Sequence, residues 1–174
     1  RIEDVIGQQK FVEDARNWIE KGDMPNVLIH GMPGLGKTSV AHVLGNCFLG
    51  NRKDGNFLEI NASQDRRLDT IRETITKFTS HKSMDNVDFT IVLLDELDGM
   101  TKDAQRALKR KMERATNVRF IITCNDPYGV DLPIRSRCAN YYFQPIKPEI
   151  QKLALKEIIN KENGTFSDEE IDNL

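Results

Sequence analysis

The stretch that decides the fold is Gly31-Met32-Pro33-Gly34-Leu35-Gly36-Lys37-Thr38. It directly follows the apolar run 27–30 and opens a helix-compatible segment that extends to Cys47. Glycines let successive backbone N–H groups turn toward a phosphate, and the positive end of the following helix dipole points to the same place. In this pattern the lysine and the threonine reach the phosphates and Mg²⁺. The stretch predicts a nucleoside-triphosphate site, whereas the alternative is a glycine-rich turn that only links a strand to a helix.

The composition is that of a globular chain without an overall electrostatic preference. The chain has 174 residues, 39% of them hydrophobic and 30% charged, with a formal net charge of −2. Any DNA-binding surface must therefore be local. No apolar run approaches the roughly 20 residues that span a bilayer, and the charged start is not a secretory signal, so we expect a cytosolic protein with no membrane partner. The cysteines Cys47, Cys124 and Cys138 lack zinc-site spacing and are expected to be reduced thiols.

Short apolar runs alternate with segments of helical periodicity. The apolar runs are 26–30, 57–60, 89–94, 118–123 and 140–143, and the helical segments between them are 8–21, 37–48, 68–79 and 101–115. The apolar runs are nearly continuous, as in strands that helices cover on both faces. The sequence therefore predicts an α/β fold, a three-layer sandwich around a five-stranded parallel sheet.

The alternation stops at residues 144–148, which contain two prolines. Residues 149–161 then have the pattern of a new helix, and 167–170 that of a further helix start. We expect a nucleotide-binding domain over 1–146. Residues 147–174 are expected to be the beginning of a small helical domain that continues beyond this sequence.

A second motif is the apolar run 90–94 followed by Asp95 and Glu96. In a parallel sheet, ligands bind at the carboxyl ends of the strands, so both carboxylates should share the crevice of Lys37. Asp95 could hold Mg²⁺ through water, and Glu96 could act as general base on the attacking water. The alternative is an acidic turn that caps the next helix.

Two asparagines and an arginine pair complete the candidate site. Asn125 ends the run 118–123 and could hydrogen-bond the γ-phosphate or the attacking water, or it could be an ordinary turn residue. Asn61 ends the run 57–60 and could hold Glu96 in an inactive rotamer. Arg137, two residues after Arg135, could stabilise transition-state charge in a neighbouring subunit, or it could form a surface ion pair.

Together the motifs resemble one family, the small subunits of the clamp loader replication factor C, within the AAA+ ATPases. The marks are Val5-Ile6-Gly7-Gln8, the glycine loop, Glu59-Ile60-Asn61-Ala62-Ser63, Leu94-Asp95-Glu96-Leu97-Asp98, Asp103-Ala104-Gln105-Arg106-Ala107-Leu108, Cys124-Asn125 and Ser136-Arg137-Cys138. The Ser-Arg-Cys triplet is the most specific of them. The resemblance implies the P-loop AAA+ sandwich, followed by a helical lid.

The resemblance also implies an ATP and Mg²⁺ site at a subunit interface. Ile6 and Gly7 would lie beside the adenine, and Met32, Pro33, Gly34, Leu35, Gly36, Lys37, Thr38 and Ser39 would hold the phosphates. Thr38 and Asp95 would hold Mg²⁺, while Lys37, Glu96 and Asn125 would take part in hydrolysis. Arg137 would act in trans on the ATP of a neighbour, and Asn61 would be regulatory. Such an ATPase is expected to be active only in the assembled complex.

The partners implied are other loader subunits in a ring or spiral, a sliding clamp and primer-template DNA. Arg66, Arg67, Lys102, Arg106 and Arg110 are candidates for sequence-independent contacts with the DNA backbone, unless they are simply a solvated face. The clamp-contacting edge would lie near 75–84. The turn Gln64-Asp65-Arg66-Arg67 departs from the family pattern. The zinc-binding insertion of bacterial loaders is absent, which favours the archaeal, viral or eukaryotic branch and hence a cytoplasmic or nuclear location.

Two other functions remain open at this point. The first is another AAA+ ATPase of DNA replication, such as a helicase or helicase loader, which would not be expected to carry the Ser-Arg-Cys triplet. The second is a catalytically silent scaffold subunit that only supplies Arg137, although the intact Lys37, Thr38, Asp95 and Glu96 argue against it.

Overall fold

The computed structural model describes residues 1–63, 73–78 and 87–161. The helices are α1 (Gln9–Lys21), α2 (Lys37–Leu49), α3 (73–78), α4 (Lys102–Arg114), α5 (Leu132–Arg135) and α6 (Pro148–Lys161). The strands are β1 (Val27–His30), β2 (Phe57–Asn61), β3 (Thr90–Asp95), β4 (Val118–Cys124) and β5 (Ala139–Tyr142). Short 3-10 turns lie at Ile2–Asp4, Gly50–Arg52, Leu97–Gly99 and Pro127–Gly129.

The five strands form one sheet in the order β2-β3-β4-β1-β5, and every pair is parallel. Strand β4 therefore lies between β1 and β3. All strands end at the same side of the sheet, which we call the carboxyl edge, and all begin at the opposite amino edge. This order places the loop after β1 and the carboxylates at the end of β3 on either side of the end of β4.

Apolar side chains cover both faces of the sheet. On one face Val92 and Phe120 pack with Leu108 and Met112 of α4, and on the other face Ile29, Leu93 and Ile121 pack with residues of α1 and α2, including Phe11 and Leu44. Burial of each large side chain contributes about 1.5–3 kcal/mol. The predicted α/β sandwich with a parallel five-stranded sheet is confirmed, and the continuous apolar runs are explained by strands buried on two sides.

The strand boundaries differ from the predicted ones by one residue. Asn26 lies before β1 and uses its side-chain oxygen to accept a hydrogen bond from the Phe120 N–H at 2.9 Å. Phe143 follows β5, yet its N–H still donates to the His30 carbonyl at 2.8 Å. Of the helix expected over 68–79, residues 73–78 are helical, and the rest lies outside the described residues. The helix start expected at 167–170 also lies outside them.

The connection that follows β5 runs beside the start of α1. The Gln8 amide donates to the Gln144 carbonyl at 2.9 Å, and the Gln144 N–H donates to the Gln8 side-chain oxygen at 3.3 Å. Helix α6 begins at Pro148, a residue suited to a first helical turn. The division into two domains near residue 146 stays a prediction. Among the described residues, no helix has the length and apolar character to cross a membrane.

Candidate nucleotide-binding site

The glycine loop joins β1 to α2 at the carboxyl edge. Gly31, Gly34 and Gly36 have φ of +146°, +81° and +75°, a region that side-chain-bearing residues rarely adopt. A Cβ atom at Gly31 would lie only 2.5 Å from the Phe143 carbonyl oxygen, so a side chain is excluded there. Helix α2 begins at Lys37, immediately after the loop. The loop and the helix start together form a cradle for an anion.

The ammonium of Lys37 lies at the centre of this cradle. It donates to the carbonyls of Gly31 at 2.9 Å and Met32 at 2.8 Å, and to the Asn125 side-chain oxygen at 2.9 Å. The side chain is only 8% exposed. Burial lowers the pKa of Lys37, whereas the nearby Cys124 thiol and carboxylates such as Asp95 act in the opposite direction. The structure thus brings two of the candidate site residues, Lys37 and Asn125, into contact.

The carboxylate of Asp95 connects α2, β3 and β4. Its Oδ1 accepts hydrogen bonds from the Thr38 hydroxyl at 2.8 Å and from the Thr123 hydroxyl at 2.5 Å. Hard oxygen ligands of this kind suit Mg²⁺. Thr38 and Asp95 were predicted as a pair, but sequence analysis missed Thr123. Its only signal was a polar residue, two positions before Asn125, that directly follows the apolar residues 120–122.

Glu96 leaves β3 in a strained conformation. Its φ of +55° makes it the only non-glycine residue of positive φ within the part of the chain that the structure describes. The Glu96 N–H donates to the Thr123 hydroxyl at 3.1 Å, which helps to hold the turn. Such strain persists only where the surroundings fix it, and it is typical of functional sites. Thr123 therefore contacts both acidic residues of the motif.

Asp98 fixes the end of β4, a role that sequence analysis did not assign. Its Oδ2 accepts hydrogen bonds from the N–H groups of Asn125 at 3.1 Å and Asp126 at 3.0 Å. A Cβ atom at Gly129 would lie 2.8 Å from the Asp98 Cβ, so the two loops pack closely. The signal available was a third carboxylate, three residues after Asp95. Asp98 holds the backbone from which the Asn125 side chain reaches Lys37.

Asn61 is the last residue of β2, so it lies at the carboxyl edge of the sheet. It is paired in register with Asp95, the residue before Glu96. Its Oδ1 accepts hydrogen bonds from the N–H of Ser63 at 3.0 Å and from the Ser63 hydroxyl at 2.6 Å. The proposed control of the Glu96 rotamer by Asn61 stays a prediction.

A cleft of about 580 Å³ lies beside the glycine loop, and residues at the start of α1 and the end of β5 line it. Gly7, Gln8, Tyr142, Phe143 and Ile146 are among the residues that line it. The carbonyl of Phe143 is also the atom that approaches Gly31, so the cleft adjoins the cradle. Of the two residues predicted beside the adenine, Gly7 lines this cleft, and Ile6, the residue before it, is half-buried.

Arg137 is remote from the cradle. It lines a second cleft with Asn26, which precedes β1, and with Val118, the first residue of β4. Strand β4 has seven residues and spans about 20 Å from this amino edge to the carboxyl edge. Arg137 donates to Glu113 Oε1 at 2.5 Å and to the Pro133 carbonyl at 2.6 Å. It is thus the ion-pair partner that one hypothesis predicted, and it does not join the Lys37 site of its own chain.

Three of the predicted DNA-contacting residues share one exposed stripe of α4. Lys102, Arg106 and Arg110 recur every four residues, about 6 Å apart along the helix, and all are exposed. Lys102 pairs with Asp131 at 2.9 Å, and Arg106 pairs with Asp103 at 3.0 Å. Arg66 and Arg67 lie outside the described residues.

The chemistry of the cradle fits a nucleoside triphosphate with Mg²⁺. The glycine loop and the helix start supply N–H donors for phosphate oxygens, and Lys37 supplies a positive charge. Thr38 supplies a neutral hydroxyl oxygen and Asp95 an anionic carboxylate oxygen, and the two atoms are 2.8 Å apart. Asn125 contacts Lys37, and Glu96 directly follows Asp95. A triphosphate could therefore be held by loop and helix, with its metal ion between the hydroxyl and the carboxylate.

Comparisons with known proteins agree with this geometry. The family model described as "ATPase family associated with various cellular activities (AAA)" matches residues 27–146. The replication factor C small subunit of Methanococcus vannielii is 40% identical over 163 residues, which cover 93% of this chain and 52% of that protein. The replication factor C small subunit of Aeropyrum pernix is 38% identical, with coverage of 98% and 53%. The similarity that the motifs predicted is confirmed.

A solved structure extends the likeness to the fold. The Thermotoga maritima RuvB Holliday junction branch migration motor has a TM-score of 0.70 and 17% identity, and the match covers 91% of this chain and 52% of that one. At this identity the likeness shows the fold alone. The chain spans about half the length of the relatives that it matches.

Proposed function

Because the chain belongs to the AAA family of ATPases, we propose that its cradle binds ATP with Mg²⁺ and hydrolyses the bond between the β- and γ-phosphates, which releases ADP and phosphate. The observation that carries this proposal is the presence of two hydrogen-bonded pairs at the carboxyl edge, Lys37 with Asn125 and Thr38 with Asp95. These side chains come from three separate elements. Their types match the needs of phosphoryl transfer, namely a cation, a metal-binding pair and a polar amide.

Each residue has a role that its position supports. The loop N–H groups and Lys37 bind the β- and γ-phosphates. When bound, Mg²⁺ neutralises phosphate charge and orients the γ-phosphate. Glu96 accepts a proton from the attacking water, and Asn125 hydrogen-bonds that water or the γ-phosphate. The adenine occupies the cleft that Gly7 and Ile146 line.

Arg137 acts on the ATP of a neighbouring subunit. This proposal is supported by its distance from its own cradle, which is about the length of β4, and by its exposed position at the amino edge. An arginine finger stabilises the charge of the transition state and is worth about 10³–10⁵ in kcat in enzymes that use one. A subunit alone would therefore bind ATP but hydrolyse it slowly.

The substrate of the assembly is proposed from the relatives. The replication factor C small subunits of Methanococcus vannielii and Aeropyrum pernix are 40% and 38% identical to this chain over nearly its whole length. We infer that the intact protein is a small subunit of a clamp loader, which opens a sliding clamp and loads it onto primer-template DNA. The exposed stripe of α4, which carries Lys102, Arg106 and Arg110, would contact the DNA backbone without reading sequence.

The test uses the intact protein with its partner subunits, a sliding clamp and primed DNA. The rate of ATP hydrolysis and the ATP-dependent binding of the clamp are measured for the wild type and for Lys37→Ala. We expect clamp binding that requires ATP, hydrolysis that primed DNA stimulates, and loss of both in the variant. Lys53→Ala, an exchange of a lysine outside the cradle, is the control and should retain both activities. Hydrolysis without any response to clamp or DNA would contradict the loader function but not the ATPase function.

A further inference from the structure

The guanidinium of Arg137 is held by two hydrogen bonds at the amino edge. Nη2 donates to Oε1 of Glu113 at 2.5 Å, and Nη1 donates to the Pro133 carbonyl at 2.6 Å. Glu113 lies in the last turn of α4, and Lys109 is its second cationic neighbour, at 3.8 Å. The Arg137 and Glu113 side chains are 36% and 37% exposed, so the pair lies at the surface where another molecule could reach it.

These two bonds leave most of the guanidinium available. Arginine carries five N–H donors in a rigid planar fork, and two of them are used here. A long exposed arginine otherwise samples many rotamers, and a new contact with it costs the conformational entropy that is lost when the side chain is ordered. A guanidinium that two hydrogen bonds already hold in place can present its remaining N–H donors to a phosphate without this loss of conformational entropy.

Helix α4 holds the segment from Gly129 to Arg137. Near its start, the Gln105 side chain donates to the Gly129 carbonyl at 2.9 Å and accepts from the Asp131 N–H at 2.7 Å. Near its end, Glu113 holds Arg137. The segment is therefore attached to one rigid helix at both ends, and the same helix carries the exposed basic stripe.

We propose that Glu113 is a positioning residue for Arg137, which orients the guanidinium toward the γ-phosphate of the ATP bound by the neighbouring subunit. The inference rests on the proposed trans action of Arg137. The opposite hypothesis is that Glu113 competes with the phosphate for Arg137. It predicts that removal of the Glu113 carboxylate increases kcat, whereas the positioning role predicts a decrease. An exposed ion pair contributes little to folding, so a change at Glu113 should leave the fold intact.

The experiment measures ATP hydrolysis by the intact protein assembled with its partner subunits, clamp and primed DNA. For Glu113→Ala we expect kcat to fall about fivefold or more while KM for ATP stays the same, because orientation rather than binding is lost. Glu113→Gln should retain part of the rate, because its amide oxygen still accepts a hydrogen bond. Glu157→Ala, which removes an exposed carboxylate from α6, is the control and should match the wild type.

The same measurement in an Arg137→Ala background decides how Glu113 acts. If Glu113 works through Arg137, Glu113→Ala has no further effect in that background. An equal loss in both backgrounds would overturn the positioning role in favour of a structural one. An unchanged or increased kcat in the single variant would also overturn it. If Arg137→Ala itself had no effect on kcat, both the proposed trans action of Arg137 and the positioning role of Glu113 would fail. An equal loss in both backgrounds, or an unchanged or increased kcat in Glu113→Ala, would overturn only the positioning role.

Discussion

The Thr123 hydroxyl donates to Asp95 Oδ1 at 2.5 Å and accepts a hydrogen bond from the Glu96 N–H at 3.1 Å. A single side chain of β4 thus fixes both Asp95, the last residue of β3, and Glu96, which follows it. Because β4 lies between β3 and β1, the same strand also brings Asn125 to Lys37. The end of β4 is the element that joins the Thr38 and Asp95 side of the site to the Lys37 side.

Thr123→Val should weaken this junction without changing the shape of the core. It removes two hydrogen bonds at a buried position, so we expect a loss of about 1–3 kcal/mol in the free energy of unfolding. The kcat of the assembled complex should fall further than the affinity for ATP, because Glu96 loses its support. Thr90→Val, at the other end of β3, is the control in denaturant titrations and hydrolysis assays. Equal kcat values in the two variants would contradict the role of Thr123.

Asp98→Ala should displace Asn125, because two N–H groups lose their acceptor. We expect about 1 kcal/mol of lost stability and a lower rate of ATP hydrolysis by the assembled complex. Asp98→Asn retains one oxygen that can accept both bonds and should recover part of the rate. If the two variants had the same rate as the wild type, the loop of Asn125 would not depend on Asp98.

The sequence predicted those parts of the structure that depend on local patterns. The strands at 27–30 and 90–95 have continuous apolar residues, and the glycine loop requires positive φ, so both could be recognised without knowledge of the rest of the chain. The expectation that Asp95 lies at the same edge as Lys37 followed from the rule that parallel strands bind ligands at their carboxyl ends.

The missed contacts depend on the order and register of the strands. Thr123 reaches Asp95 only because β4 pairs with β3, and Glu113 reaches Arg137 only because α4 packs beside α5. No local sequence pattern indicates either of these two contacts. The two hypotheses for Arg137 also could not be separated in the sequence, since an arginine that pairs with a carboxylate and one that serves a neighbour have the same residue type.

Gly31→Ala should destabilise the fold more than Gly34→Ala. At Gly31 the added Cβ would lie 2.5 Å from the Phe143 carbonyl oxygen, whereas at Gly34 it would meet nothing within 4 Å. Both residues have positive φ, so the common conformational cost is about 1–2 kcal/mol, and the contact at Gly31 adds about 1–3 kcal/mol. Urea unfolding of the two variants measures the difference. Equal losses would show that β5 can move away from the loop.

The stability of the protein should depend on His30 below neutral pH. Burial lowers the pKa of His30 below its ordinary value of 6.5, and the positive charges of Arg135 and Lys37 add to this effect. The unfolded chain then binds a proton that the folded chain does not, so this contribution to stability is complete above pH 6.5 and is lost as the pH falls. In His30→Gln the free energy of unfolding should fall less between pH 7.5 and 5 than in the wild type. Parallel curves for the two proteins would contradict the lowered pKa.

The central claim is that a complete hydrolytic site requires two subunits, with Lys37 from one and Arg137 from the other. The most direct measurement compares ATP binding by the single intact subunit with ATP hydrolysis by the assembled complex, for Lys37→Ala and for Arg137→Ala. We predict that Lys37→Ala loses both activities, whereas Arg137→Ala binds ATP as the wild type does and loses hydrolysis by about 10²-fold or more. An assembled Arg137→Ala complex that hydrolyses ATP at the wild-type rate would contradict the claim.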